Sequence, residues 1–179
     1  MNKHLRLLSL ILSILLLVSA FAACDSSQGS SETEEKSSVE NKETNEVVVI
    51  HRIKDWTGIA FPGGHVEEGE PIVPSVIREI KEETNLEISN LEFCGIRDWY
   101  DPDIKERNIV FMFKTSTYKG TLNKNNVEGI LEWRTLDSIK NEEYASGLDK
   151  EMAIFFKKEI NEFFSTKEPK TNNWTLEKF

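Results

Sequence analysis

The chain has 179 residues, of which 31 are acidic and 22 basic, for a formal net charge of −9. That balance speaks against a nucleic-acid polymer as partner, because neutralising a phosphate backbone needs a basic face. It does not exclude a single nucleotide carried with a metal ion.

Met1–Ala23 reads as a secretory leader: Lys3, His4 and Arg6 make a positive start, and the apolar run from Leu7 ends in small residues. The run is shorter than the roughly 20 residues that a membrane-spanning helix prefers. Phe21-Ala22-Ala23-Cys24 resembles a bacterial lipobox. This implies that Cys24 carries lipid as the first residue of the mature chain, the alternatives being an uncleaved anchor or ordinary signal-peptidase cleavage. The expected location is therefore extracytoplasmic, on a membrane-anchored lipoprotein. Residues 24–46 are rich in Ser, Glu, Lys, Asn and Thr and lack aromatic side chains. Such a stretch cannot bury enough surface to offset its ordering entropy, and it is expected to be a disordered acidic tether.

Residues 47–166 are expected to form one domain, with 167–179 as a C-terminal tail. Val47–Ile50 and Ile59–Phe61 read as strands, the second stopped by Pro62-Gly63-Gly64; Leu91–Trp99, Ile109–Tyr118 and Ile130–Leu136 are further strands. Pro74 suits the first turn of a helix and Asn85 its left-handed stop. On that helix Val73, Val76, Ile77 and Ile80 are expected to pack on the sheet. Leu148, Met152, Phe155, Phe156, Ile160, Phe163 and Phe164 recur at helical spacing, predicting a last helix over 149–164 whose stripe is core, docking surface or membrane contact. Cys94, between Phe93 and Gly95, reads as a small core residue rather than a nucleophile. With Cys24 lipidated it has no partner, which excludes a disulfide framework. This order of elements gives an α+β fold, an α/β/α sandwich with a mixed β-sheet.

Chemistry concentrates between Gly64 and Leu86. Glu79, Glu82 and Glu83 stand at i, i+3 and i+4, so their carboxylates share one helical face. Like charges at that spacing repel by a few tenths of a kcal/mol per pair. Either the face is simply solvated, or it supplies hard oxygen ligands for a divalent cation. Arg78 is placed to pair with Glu70 or Glu82 and to hold its geometry.

The pattern G-x5-E-x7-R-E-φ-x-E-E-x-N-φ (φ apolar), from Gly64 to Leu86, resembles the signature of the Nudix hydrolases, with Asn85 where that family has glycine. Phe61–Glu67, Cys94-Gly95-Ile96 and Glu128–Trp133 extend the resemblance towards bacterial members labelled 8-oxo-dGTP diphosphatase. The resemblance implies Mg2+- or Mn2+-dependent hydrolysis of a nucleoside diphosphate linked to another moiety. A nucleoside triphosphate or 8-oxo-dGTP-like substrate would release a monophosphate and pyrophosphate. Carried over by position, Glu79, Glu82 and Glu83 would be metal ligands, with the Gly63 carbonyl and Glu128 as further candidates. Glu70 and Arg78 complete the catalytic set. Trp56, Trp99 and Tyr100 are either base-stacking or packing residues. The resemblance also implies a strand before Val47, where Ser37–Glu46 has one apolar residue, so the domain is expected to lack its first strand. The alternative to an enzyme is then a degenerate surface lipoprotein carrying a truncated domain.

Overall fold

The computed structural model describes residues 30–179, apart from residues 55, 146 and 158. The leader, Cys24 and the start of the expected tether lie outside the described residues. Eleven strands and three helices are described: β1 Ser31–Asn41, β2 Glu46–Arg52, β3 Gly58–Ala60, β4 Gly63–His65, α1 Ile72–Thr84, β5 Glu87–Ser89, β6 Glu92–Asp101, β7 Glu106–Thr115, β8 Thr117–Lys119, β9 Gly129–Thr135, α2 Leu136–Ile139, α3 Leu148–Phe156, β10 Glu162–Lys167 and β11 Trp174–Lys178. The main sheet runs β11-β10-β6-β7-β1-β2-β3, with β4 beside β1 and β9 beside β2; β5 and β8 form a small second sheet. β1–β7 and β10–β6 pair in parallel and the other pairs are antiparallel, so the sheet is mixed, as expected.

Strand alternation divides the core between two layers. Val48 and Ile50 of β2 join Val76 and Ile80 of α1 on one face, while Val47 and Val49 join Leu148, Ile154 and Phe155 of α3 on the other. On α1 the packing stripe is Val76, Ile80 and Thr84; Val73 and Ile77 face solvent, a correction to the expected stripe. Val73, seven residues before Ile80, lies on the same side of the helix but in its first turn, and Ile77 lies at the margin of the stripe. Asn85 adopts φ 65°, and its N–H bonds the Lys81 carbonyl at 3.0 Å. This is the left-handed stop anticipated for it.

The first strand is present, and the disordered tether expected over 24–46 is corrected for its second half. β1 pairs in parallel with β7 from Ser31↔Arg107 to Val39↔Thr115. Its other edge meets β4 at Glu34↔His65, Glu35↔Gly64 and Lys36↔Gly63, then turns into β2. Both edges of this strand are thus bonded through backbone groups, which carry no hydrophobic pattern for a sequence reading to detect.

The C-terminus also departs from expectation. α3 ends at Phe156, and the apolar residues beyond it continue as β10, which brings β11 onto its outer edge where a tail was expected. Phe163 and Phe164 are adjacent, and a strand puts them on opposite faces. Phe163 is buried against the α3 side of the core while Phe164 is only half-buried.

Candidate active site

Everything at this site hangs on the turn from β4 into α1. Arg78 lies near the middle of the helix and gathers its neighbours. It donates from Nε to Glu70 Oε1 at 2.9 Å and from Nη2 to Glu70 Oε2 at 2.7 Å, a bidentate pair. Its Nη1 donates to Glu79 Oε1 at 2.6 Å and to Glu82 Oε2 at 3.3 Å, and Nη2 also reaches the His65 carbonyl at 3.2 Å. The two partners left open for Arg78 are therefore both taken. The guanidinium holds the Glu70 carboxyl down at about 2, through direct hydrogen bonding first. Glu70 thus fixes the position of the Arg78 guanidinium.

Glu83 approaches from the next turn, and its Oε2 accepts the Gly63 N–H at 3.0 Å. Burial pushes its carboxyl up to about 7, with the charges of Glu128 and Glu79 adding to the shift and the Gly63 N–H opposing it. Backbone crowding requires the glycine at 63, whereas at 64 it leaves space that the Glu79 side chain fills. A Cβ at Gly63 would strike the Glu35 carbonyl, and one at Gly64 would strike the Glu79 carboxyl group.

Glu79, Glu82, Glu83 and Glu128 line one open depression of about 400 Å³ with Asn123, Asn125 and Asn126. Glu128, far off in sequence, is brought there by the loop before β9. Asn126 Oδ1 accepts the N–H groups of Glu128 and Gly129 at 2.8 and 2.9 Å, and the Arg52 guanidinium stands 2.7 Å from the Glu128 carboxylate. No spacing in the sequence ties these three asparagines and Arg52 to the helix.

The donor set is oxygen throughout, which fits a hard divalent cation and not a softer metal. The carboxylates are splayed rather than closed. Among the described residues, the acidic group whose ligand atoms converge within 4.8 Å is Glu32, Glu34 and His65, while the signature glutamates stand further apart. Mutual repulsion and the competing bonds to Arg78 and Gly63 account for that spread.

Next to the site, on β1, stands Glu35. It is fully buried on β1 opposite Gly64, and neither carboxylate oxygen has a hydrogen-bond partner. Burial pushes its carboxyl up to about 8, the nearby charge of Glu79 adds to this, and the Gly64 N–H, close but outside hydrogen-bonding geometry, opposes it. No signal in the sequence distinguishes it from the surrounding acidic run.

A second concavity, of about 480 Å³, opens on the other face of β1. Glu34 and Lys36 line it from β1, Arg97 and Trp99 from β6, Trp56 from the β2–β3 loop and Trp174 from β11. The Arg97 guanidinium carbon sits 5.0 Å over the Trp99 ring. Beneath them Glu151 of α3, fully buried, accepts Lys36 Nζ at 2.7 Å and Arg97 Nη1 at 2.9 Å. Of the three aromatic candidates, Trp56 and Trp99 reach this pocket and Tyr100 does not line it.

A helix of carboxylates set by a glycine turn against a mixed sheet is the arrangement of a Nudix domain. The NUDIX domain family model matches residues 38–155, and the chain belongs to the Nudix family. It is 35% identical over 89 residues to the uncharacterized Nudix hydrolase YvcI of Bacillus subtilis, covering 48% of this chain and 56% of that one. It is 32% identical over 90 residues to the NAD-capped RNA hydrolase NudC of Vibrio vulnificus, covering 50% of this chain and 32% of NudC. The chain thus spans about half the length of YvcI and about a third of NudC. Among solved structures, the mutator MutT protein from Bacillus halodurans superposes with a TM-score of 0.64 at 23% identity, over 82% of this chain and 97% of that one.

Proposed function

We infer that this protein is a phosphohydrolase that uses Mg2+ or Mn2+ to cleave a nucleoside diphosphate linked to another moiety. A nucleoside triphosphate, of the 8-oxo-dGTP kind or another, is the form of substrate proposed, with a nucleoside monophosphate and pyrophosphate as products. The observation that carries this reading is the convergence of Glu79, Glu82, Glu83 and the distant Glu128 on one depression. A solvated helix face would explain the first three but not the fourth. The NAD-capped RNA hydrolase among the relatives supports the diphosphate linkage without choosing the group attached to it.

Bound there, a divalent ion supplies neutralisation of charge on the phosphates. The chain supplies the rest. Glu79, Glu82 and Glu83 hold the ion, with the Gly63 carbonyl as a further oxygen. Arg78, clamped by Glu70, keeps Glu79 in place. Glu128, anchored by Asn126, orients the attacking water and takes its proton. Lys36, Arg97 and Trp99 receive the base or other planar end of the substrate in the pocket across β1, where stacking is worth about 1–3 kcal/mol.

The leader read at residues 1–23 gives the proposed place of action, outside the cytoplasmic membrane with a lipidated Cys24 as anchor. Incorporation of labelled palmitate into the full chain, abolished in Cys24→Ser, tests that assignment. Among the described residues no helix is long and apolar enough to cross a membrane.

For the activity, nucleoside triphosphates and dinucleotides are presented with Mg2+ or Mn2+, and release of pyrophosphate or monophosphate is followed. Glu83→Gln is expected to lower kcat by about two to three orders of magnitude, the usual loss when a group stabilising transition-state charge is removed. Metal binding without turnover of any diphosphate would instead favour the non-catalytic surface lipoprotein.

A further inference from the structure

Glu35 is the one carboxylate of the molecule that is fully buried with both oxygens unpartnered; this holds among the described residues. The other fully buried acid, Glu151, is neutralised by Lys36 and Arg97. The contrast matters because a buried charge persists only where something of opposite sign meets it. Among the described residues no ion pair reaches Glu35: Arg78, whose charge acts on it, has its donors committed to Glu70, Glu79, Glu82, Ser75 and the His65 carbonyl.

Its surroundings place it beside the α1 carboxylates. Strand alternation turns Glu35 away from the tryptophan-lined pocket and towards the α1 face. There it lies alongside Phe111 of β7 and opposite Gly64 of β4, the residue whose missing side chain makes room for the Glu79 carboxyl. The charges of Glu79 and Glu83 both act on it. We propose that Glu35 is an additional carboxylate of the divalent-cation site, contributed by β1 from beneath Glu79 and Glu83 and lying outside the helix signature. This rests on the reading of that depression as a metal site.

Two consequences follow that a purely structural glutamate would not share. Without metal, Glu35 is a buried carboxyl with no ion pair, so replacing it by the uncharged amide of the same shape costs the fold little. With metal, its charge adds to the attraction, so neutralising it weakens binding. β1 thereby becomes the strand that metal binding fastens in place.

The test uses the full chain and Mn2+ as probe, with free ion followed by electron paramagnetic resonance. Glu35→Gln is expected to raise the Kd for Mn2+ by tenfold or more, while its metal-free Tm equals or exceeds that of the unaltered chain and its gain in Tm with Mn2+ shrinks. A Kd within twofold of the unaltered chain overturns the proposal. Hydrogen exchange on the unaltered chain gives a second measurement that needs no variant to fold. Millimolar Mg2+ is expected to slow the Glu35–Ser37 amides at least tenfold more than the amides of β10, and equal slowing counts against the proposal. If the unaltered chain binds Mn2+ and hydrolyses a diphosphate while Glu35→Gln binds equally well, the inference about Glu35 fails alone. If the unaltered chain binds Mn2+, loses that affinity in Glu35→Gln and hydrolyses nothing, the inference stands and the phosphohydrolase reading fails.

Discussion

One face of β1 turns Glu35 towards three glutamates that share two turns of α1; the other turns Glu34 and Lys36 into a pocket walled by β6, α3, β11 and the β2–β3 loop. The acidic depression is held together by local bonds, from Arg78 to Glu70 and Glu79 and from the Gly63 N–H to Glu83. The pocket is held by one long-range ion triad, in which a buried Glu151 collects a lysine from β1 and an arginine from β6. Local spacing is enough to build a cluster of like charge, whereas a recognition surface has to be collected from strands that meet only once the sheet has formed.

This division can be broken at its weakest joint. Glu151→Gln leaves Lys36 and Arg97 without their shared counter-charge, and the domain is expected to lose about 3 kcal/mol, since removing one partner strands the others. Urea unfolding measures it, with the metal-induced gain in Tm expected to survive; a loss of metal binding as well would mean that the two halves are not separable. Trp99→Ala is expected to weaken substrate binding by about 1–3 kcal/mol, seen as a rise in KM with kcat within twofold. A fall in kcat at constant KM would place Trp99 on the chemical side instead. The smallest effect belongs to β1 itself. Ser38 is fully buried with an unpartnered hydroxyl. Ser38→Ala removes a group whose desolvation goes unrewarded, and is expected to stabilise the chain by about 1 kcal/mol, read as a rise in the urea midpoint.

The two halves differed just as much in how far the residues announced them. Gly64, Glu70, Arg78, Glu79, Glu82 and Glu83 are legible because a helix and its entry turn fix distances along the chain. The strand pattern of β2, β7 and β9 is legible because alternating side chains meet two layers of core. β1 is not, since Ser-Glu-Thr-Glu-Glu-Lys-Ser-Ser has the composition of a solvated tether. The last helix stops short of its sequence pattern for a related reason: Ile160, Phe163 and Phe164 keep a helical period with α3 by coincidence, while β6 offers an open sheet edge that β10 fills.

By itself, then, the amino-acid sequence determined the α1 carboxylate cluster, its glycine turn, its Asn85 stop and the alternating strands of a mixed sheet, all of which are consequences of short-range geometry. Tertiary structure alone decided that a polar stretch becomes the central strand, that this strand turns Glu35 towards the α1 face, and that three tryptophans border one pocket. Those outcomes rest on backbone hydrogen bonds and buried charges whose partners lie far away in the chain, and such pairings exist only after the sheet has closed around them.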